Sequence, residues 1–387
     1  MYEVGLDISS NKISASVFSK KGSNLFLKNC GCIEIERHAV EASEIIDSVV
    51  FVNGIKELWK NYKLGNKTVN VGISDTKIVL KEIVIPLIDE KEIDNAIRYQ
   101  IEEFVPIPKE NLIYDYYVIE KKDNSSVVMI VGVMKSMIEN IVAVLKSAGL
   151  KINAIEANCF SLFRLADRYF DFKNRHKEDE NSSDCIVYFG NDVSIIEFVN
   201  KEELRYPRFI NSSLSVFNEN LSKKISISPE EAARILDDFD MELLLSKDSS
   251  KKAGTVSENS EVADSTDSGE AKKEEFEETD EKNILIKDSI KISANQLINE
   301  ISRSIEHFLQ ENRSFTVEEI VFCGENLKNM EKYMSKNLKY DLKRIDLAAG
   351  FLPDTLKRSF LFKGIDKSKI TNSIILSCGL ALRGLKN

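Results

Sequence analysis

The sequence has no run of apolar residues long enough to cross a bilayer, so a membrane-spanning helix is not expected. It opens directly on strand-like residues, with no basic leader, apolar stretch and cleavage site, so no secretory signal is expected either. Histidine is scarce, and His38, His176 and His307 do not cluster, which argues against a histidine-based metal centre. Cysteine is sparse too. Among Cys30, Cys32, Cys159, Cys185, Cys323 and Cys378 only the first two are close, and one intervening residue is the wrong spacing for the usual zinc or redox pairs. Most sit in apolar contexts, where a reduced thiol packs as a small core residue, and this points to a reducing, cytoplasmic compartment. Basic charge is also lacking: 53 Lys and Arg against 63 Asp and Glu give a net −10. Phosphate binding needs a basic face, so nucleic acid is not expected as the main partner.

What is present is an ordinary globular composition, 43% hydrophobic and 30% charged over 387 residues, enough for two or three domains with real cores. The stretch Val4–Phe18 organises the reading. Val4 and Leu6 are apolar, Ser9–Lys12 form a small polar turn, and Ile13, Ala15 and Val17 alternate with smaller polar residues, the pattern of a buried hairpin. It is echoed at Cys185–Val199, with Gly190, Asn191 and Asp192 as the turn. Two such hairpins, each opening its own half of the chain, imply a duplicated two-lobed fold.

After the first hairpin, Asn24–Glu36 reads as a strand pair and Val40–Tyr62 as a helical pattern. Trp59 on that helix fits an apolar face better than a ligand platform. Val69–Ser74 is a short buried strand, so this part reads as an α/β lobe. A smaller module follows: strand Lys77–Pro86, helix Asp89–Phe104 with Asp89 at the cap and Glu92 at the capping-box position, strands Leu112–Glu120 and Val127–Val133, and helix Met134–Ala148 ended by Gly149. Pro106 and Pro108 stop the first of these helices. That segment, with Tyr114, Tyr116 and Tyr117 after it, fits either a peptide groove or a strand edge with packed tyrosines.

Then come strand Ile152–Glu156, helix Cys159–Phe170, a charged loop Asp171–Ser183, and strand Leu204–Ile210 with Arg205 and Arg208. Ser228 followed by Pro229, Glu230 and Glu231 is a strong helix start. Ser246–Asn283 breaks the pattern: it nearly lacks large apolar residues, and 6 Lys against 12 Asp plus Glu give it −6. Such a segment buries too little surface to offset the entropy of ordering, so a disordered acidic insertion is expected. Beyond it the pattern predicts helix Ser293–Gln310, strand Glu319–Cys323, a helix over about Leu327–Leu338, strand Tyr340–Ile345 and a last helix Thr371–Leu382.

Several ordered pieces together carry a resemblance. They are Val4–Ser10; Ala96–Pro108 (AIRYQIEEFVPIP) with Asp115 after it; Ala148, Gly149 and Leu150 before a strand; Arg208 before a polar turn; Glu230, Glu231 and Ala232; Glu300–Ile305; and the closing Gly379–Arg383. In that order the chain resembles the type IV pilus assembly protein PilM family, a bacterial branch of the actin-like ATPases related to the division protein FtsA. The resemblance implies an α/β, actin-like (ribonuclease H-like) two-lobed fold with a small inserted α+β subdomain. The expected division is 1–76 with 157–183 as the first lobe, 77–156 as the inserted module, 184–245 with 284–387 as the second lobe, and 246–283 as the insertion.

In that family each lobe offers a hairpin turn to the phosphates of a nucleotide, an aspartate before the turn helps hold Mg²⁺, and a later glycine pair lies near the adenosine. Carried onto this chain, Asp7 is the metal candidate, and Asp7, Ser9, Ser10, Asn11, Ser14, Gly190, Asn191, Asp192, Gly324 and Glu325 are the candidates for nucleotide contact. Much of the pattern is altered. Ser9 stands for a glycine, Ser14 for a lysine, Tyr188 for the second aspartate, Ser212 and Ser213 for paired glycines, Leu236 for a lysine and Glu325 for the second adenosine glycine. The expectation is therefore ATP and Mg²⁺ held weakly or not at all, with no catalytic residue assigned.

The resemblance also implies that the small module cups the cytoplasmic N-terminal peptide of a PilN-like bitopic membrane protein. Ile97, Ile101, Phe104, Pro106, Tyr114 and Tyr116 are the candidate contacts. The role would be a cytoplasmic scaffold, peripheral at the inner face of the membrane, tying a pilus or type II secretion-like platform to its motor. Three rivals are a working actin-like ATPase that cycles or self-associates, an FtsA-like division protein, and a sugar or acetate kinase. The short end after the last helix, Gly384–Asn387, predicts no anchoring amphipathic helix, and the altered turns count against the enzymes.

Overall fold

Apolar residues alternate from Val4 to Ile8, and β1 (Tyr2–Ile8) pairs antiparallel with β2 (Lys12–Lys21), Leu6 opposite Ala15 and Ile8 opposite Ile13. In the computed structural model, the described residues are 2–22, 24–36, 38–41, 43–121, 123–170, 179, 181–200, 203–245, 269–345, 347, 360–361 and 371–385. β3 (Asn24–Glu34) is one 11-residue strand rather than the strand pair the sequence suggests. Gly31 marks no turn; a Cβ there would lie 2.2 Å from the ring of Tyr62, so the glycine permits a close approach.

Next come the two-residue strands β4 (Val40–Glu41) and β5 (Glu44–Ile45), then α1 (Ser48–Tyr62). The helix starts later than its periodicity predicts because the Asp47 carboxylate caps it, accepting from the N–H groups of Val49 and Val50 at 2.9 and 3.0 Å. Trp59 is packed and donates its indole N–H to the Asn66 carbonyl at 3.0 Å, a core role. β6 (Thr68–Ile73) runs parallel to β1.

The small module contains β7 (Val79–Pro86), α2 (Glu90–Phe104), β8 (Leu112–Lys121), β9 (Ser125–Met134) and α3 (Lys135–Ser147). Its sheet has the order β7-β9-β8 and is antiparallel throughout. Ile93, Ile97 and Ile101 of α2 pack on Ile83, Ile85, Val128 and Ile130 of that sheet. Asp89 sits at the N-cap, but its side chain makes no capping bond; its carbonyl accepts from Glu92 N–H at 2.8 Å instead. Gly149, at φ +80°, ends the α3 segment as expected. β10 (Lys151–Ala157) then joins β6 in parallel and leads into α4 (Asn158–Phe170).

The second lobe is built from β11 (Ser182–Phe189), β12 (Ser194–Asn200), β13 (Glu203–Ile210), α5 (Leu214–Ile225), α6 (Pro229–Asp238), α7 (Gly269–Glu311), β14 (Thr316–Gly324), α8 (Met330–Leu338) and β15 (Asp341–Arg344). β11 begins at Ser182, inside what the sequence reads as loop; residues 171–178 and 180 lie outside the described residues. α5 is absent from the sequence reading, since its apolar positions are diluted by Ser and Asn. α6 starts as expected, with Ser228 Oγ accepting from Glu231 N–H at 3.2 Å. α7 starts at Gly269, before the predicted Ser293 and within the stretch expected to lack regular structure. Its Glu- and Lys-rich start has good helix propensity without an apolar face, and a reading based on burial alone passes over it. The rest of the expected insertion, 246–268, lies outside the described residues.

The two main sheets repeat one plan. Strands in the order β3-β2-β1-β6-β10 recur as β13-β12-β11-β14-β15, each with three antiparallel strands followed by two parallel ones. One boundary differs from expectation, because residues 284–387 do not all stay in the second lobe. β16 (Phe360–Leu361) pairs with β3, and α9 (Ile375–Leu382) packs against the first sheet. Two glycines make that docking possible. A Cβ on Gly5 would lie 2.0 Å from the Ser377 carbonyl oxygen, and one on Gly379 would lie 1.9 Å from that of Ser161. Arg383 and Arg164 both bond Glu156, which ties the end of α9 to β10 and α4.

Candidate functional site

The two hairpin turns face each other across the cleft between the lobes. In the first, Ser9 closes the turn: its N–H and hydroxyl both donate to the Lys12 carbonyl, at 3.0 and 3.1 Å. Ser9 is not at positive φ, so the turn has no need of the glycine that the resemblance places there. In the second, Gly190 N–H donates to Ser194 Oγ at 3.1 Å, and that hydroxyl donates to the Ser212 carbonyl at 2.6 Å. Ser213 occupies the N-cap of α5.

Groups of the chain itself fill the space between the turns. Asp192 Oδ2 accepts from Ser10 N–H at 2.6 Å, and Oδ1 accepts from the Ser10 hydroxyl and, at 2.7 Å, from Asn191 Nδ2. Lys12 Nζ donates to Glu325 Oε1 at 2.9 Å. The ring of Tyr188 is flanked by two glycines: a Cβ on Gly190 would lie 3.0 Å from its Cε1, and one on Gly324 would lie 3.0 Å from its Cε2. Gly324 also takes φ +99° and approaches the Phe189 carbonyl, to which Glu325 N–H donates at 2.7 Å. What remains is a partly open cleft lined by Asp7, Lys12, Tyr188, Asp192 and Glu325 among others.

Asp7 lies at the back of this space. Asn158 Nδ2 donates to Asp7 Oδ1 and to Ser74 Oγ, both at 2.8 Å, and Ser74 N–H bonds Ser43 Oγ at 3.0 Å. Burial pushes the Asp7 carboxyl up to about 7; the Asn158 bond opposes this and the nearby Asp192 charge adds to it. Ser14 is buried and its hydroxyl has no partner among the described residues. Leu236 is packed in the second lobe's core. Asp7, Ser9, Ser14, Gly190, Asn191, Asp192 and Glu325 thus line one cleft, while Ser10, Asn11 and Gly324 border it. Sequence reasoning missed Lys12, Ser43, Ser74 and Asn158. Asn158 stands between a strand and a helix, where no motif marks it; only the fold brings it to Asp7.

On the module, Ile97 and Ile101 are fully buried and serve its core, so a partner on this surface cannot reach them. Phe104, Tyr114 and Tyr116 are half-buried and Pro106 is exposed; Tyr114 donates its hydroxyl to Asp94 Oδ1 at 3.1 Å. Tyr117 faces the other way. It donates to the Leu204 carbonyl at 3.2 Å and meets Phe160 edge-on at 5.5 Å, at a seam with the second lobe. At that seam Arg205 bonds Glu203 at 2.6 Å and Glu120 at 3.2 Å and lies 3.9 Å from Glu82, which accepts Tyr206 N–H at 2.8 Å. Two motif pieces distant in sequence also meet: Arg208 donates to Ser304 Oγ at 2.9 Å and lies 3.9 Å from Glu300.

Two sheets of one plan, with facing hairpins and a small module set between strands of the first, define an actin-like two-lobed protein. The family model of "Type IV pilus assembly protein PilM" matches residues 5–241, and the chain belongs to that family. Its fold matches the solved "PilM-PilN type IV pilus biogenesis complex" with a TM-score of 0.76 at 15% identity, over 100% of this chain and 99% of that one. It also matches the ethanolamine utilization protein EutJ from Carboxydothermus hydrogenoformans, with a TM-score of 0.52 at 10% identity, over 99% of this chain and 89% of that one. No curated protein matches in sequence. Among the described residues no helix is long and apolar enough to cross a membrane, and no group of three or more metal-ligating side chains could hold a metal ion.

Proposed function

We propose that this chain is a cytoplasmic scaffold of a type IV pilus or related secretion platform. It grips the cytoplasmic N-terminal peptide of a PilN-like bitopic membrane protein through the small module and is held at the inner face of the membrane by that partner. The observation that carries the reading is the whole-length likeness to a PilM–PilN complex, module included. Phe104, Pro106, Tyr114 and Tyr116 are the contacts, and Ile97 and Ile101 hold up the surface from beneath.

In the same reading the cleft does not hold Mg·ATP. Tyr188 stands where a ligand to the ion would be needed, Asp192 occupies a turn amide, and Glu325 neutralises Lys12. The rival, a working actin-like ATPase, has Asp7 in its favour. Two measurements test the proposal. Immobilised N-terminal peptide of the membrane protein encoded beside this chain should capture it; capture no better than by a scrambled peptide would refute the scaffold role. Calorimetric titration with Mg·ATP should show no micromolar binding, and heat at that concentration with phosphate release would favour the ATPase.

A further inference from the structure

We infer that Asp192 is an internal ligand: its carboxylate fills the anion seat of the first hairpin and holds the two lobes closed without a nucleotide. The inference rests on the reading of the cleft just given. Three donors converge on this carboxylate: a turn N–H and a hydroxyl from Ser10, and the side-chain amide of Asn191. Peptide N–H, hydroxyl and amide are the donors a phosphate oxygen would meet in such a turn, and an ionised acceptor makes each bond stronger than its neutral counterpart. Ser10 belongs to the first lobe and Asp192 to the second, so the contact joins the lobes.

A second contact has the same form with the signs exchanged. Lys12 of the first lobe meets Glu325 of the second, with side chains only 21% and 18% exposed. A free anion entering from solvent would have to displace Asp192 from Ser10 and Glu325 from Lys12, and would then stand beside Asp7. Closure is therefore supplied within the chain, and the scaffold keeps one interlobe arrangement whatever the nucleotide level around it.

Hydrogen exchange of the two turns, residues 8–12 and 190–194, followed by mass spectrometry, tests this. In the wild type both turns should exchange slowly and ignore acetate, inorganic phosphate and Mg·ATP. In Asp192→Ala both should exchange about 10- to 100-fold faster, the effect of losing one charge-assisted clasp. Acetate or inorganic phosphate should slow them again by entering the emptied seat, a rescue that a merely structural role would not give. Asp192→Asn, which keeps one acceptor and the side-chain shape, should fall between and guards against a variant that fails to fold. Exchange in Asp192→Ala as slow as in the wild type, or an acceleration that neither acetate nor phosphate reverses, would overturn the clasp alone. Micromolar Mg·ATP binding by the wild type would instead overturn the reading of the cleft beneath it.

Discussion

Asp192 in the second hairpin and Ser10 in the first, 182 positions apart, are joined by two hydrogen bonds, one from the Ser10 N–H and one from its hydroxyl. In a two-lobed fold the facing turns are where a phosphate chain would bridge the halves. Here a side chain bridges them, and Tyr188 fills the floor beneath.

Tyr188 should be worth more to stability than to ligand binding. Its ring is buried between Gly190 and Gly324, so Tyr188→Ala leaves a cavity that neither glycine can fill. Urea unfolding should show a loss of about 3–5 kcal/mol, the range for removing a large aromatic from a core.

The docking of α9 should be sensitive to a single methyl group. Gly379→Ala places a Cβ against the Ser161 backbone carbonyl, which cannot swing aside as a side chain can. The expected loss is about 3 kcal/mol, the upper part of the range for overpacking. Exchange of the Ile375–Leu382 amides should rise before that of the second lobe, whose sheet α9 does not join.

Arg205 should hold the module to the second lobe. Its side chain is 9% exposed and faces Glu203, Glu120 and Glu82. Removing it leaves carboxylates crowded without their cation, and breaking such a pair costs about 3–5 kcal/mol when fully buried. These glutamates are about one-third exposed, so Arg205→Ala should cost nearer 1–2 kcal/mol and less at high salt. Thermal melting with and without salt is the check.

Glu197 should make stability fall as pH rises. β12 and β13 shift register between Ile196 and Phe198, so Glu197 lies opposite Tyr206 and Pro207, fully buried, with neither oxygen partnered among the described residues. Among the described residues, the groups close enough to feel its charge are Tyr117, Cys159, Cys185 and Cys323, none of them a cation. Burial pushes this carboxyl well above its ordinary value of 4.5. A group held neutral in the fold stabilises it fully below the unfolded value, and that contribution is lost as pH rises through the folded value. Wild type should therefore lose stability from weakly acid to alkaline pH, and Glu197→Gln should flatten the slope. Equal slopes for the two proteins in urea titrations across that range would contradict this.

Local elements with strong periodicity or caps are legible in the residues alone. Examples are the hairpins at Val4–Phe18 and Cys185–Val199, the α2 face of Ile93, Ile97 and Ile101, and the start of α6 at Ser228. Those signals arise from neighbours three, four or two residues apart, and the chain carries them wherever it lies. It also exposed the substitutions Tyr188 and Glu325, because a resemblance aligns positions. What those positions touch follows from how the folded lobes meet. That Asp192 reaches Ser10, that Lys12 pairs with Glu325, that Asn158 reaches Asp7, and that α9 returns to the first sheet all depend on contacts across more than a hundred residues. Such contacts leave no periodicity to read. They exist because two sheets, each folding on its own pattern, close on one another and bring together side chains that the sequence keeps apart.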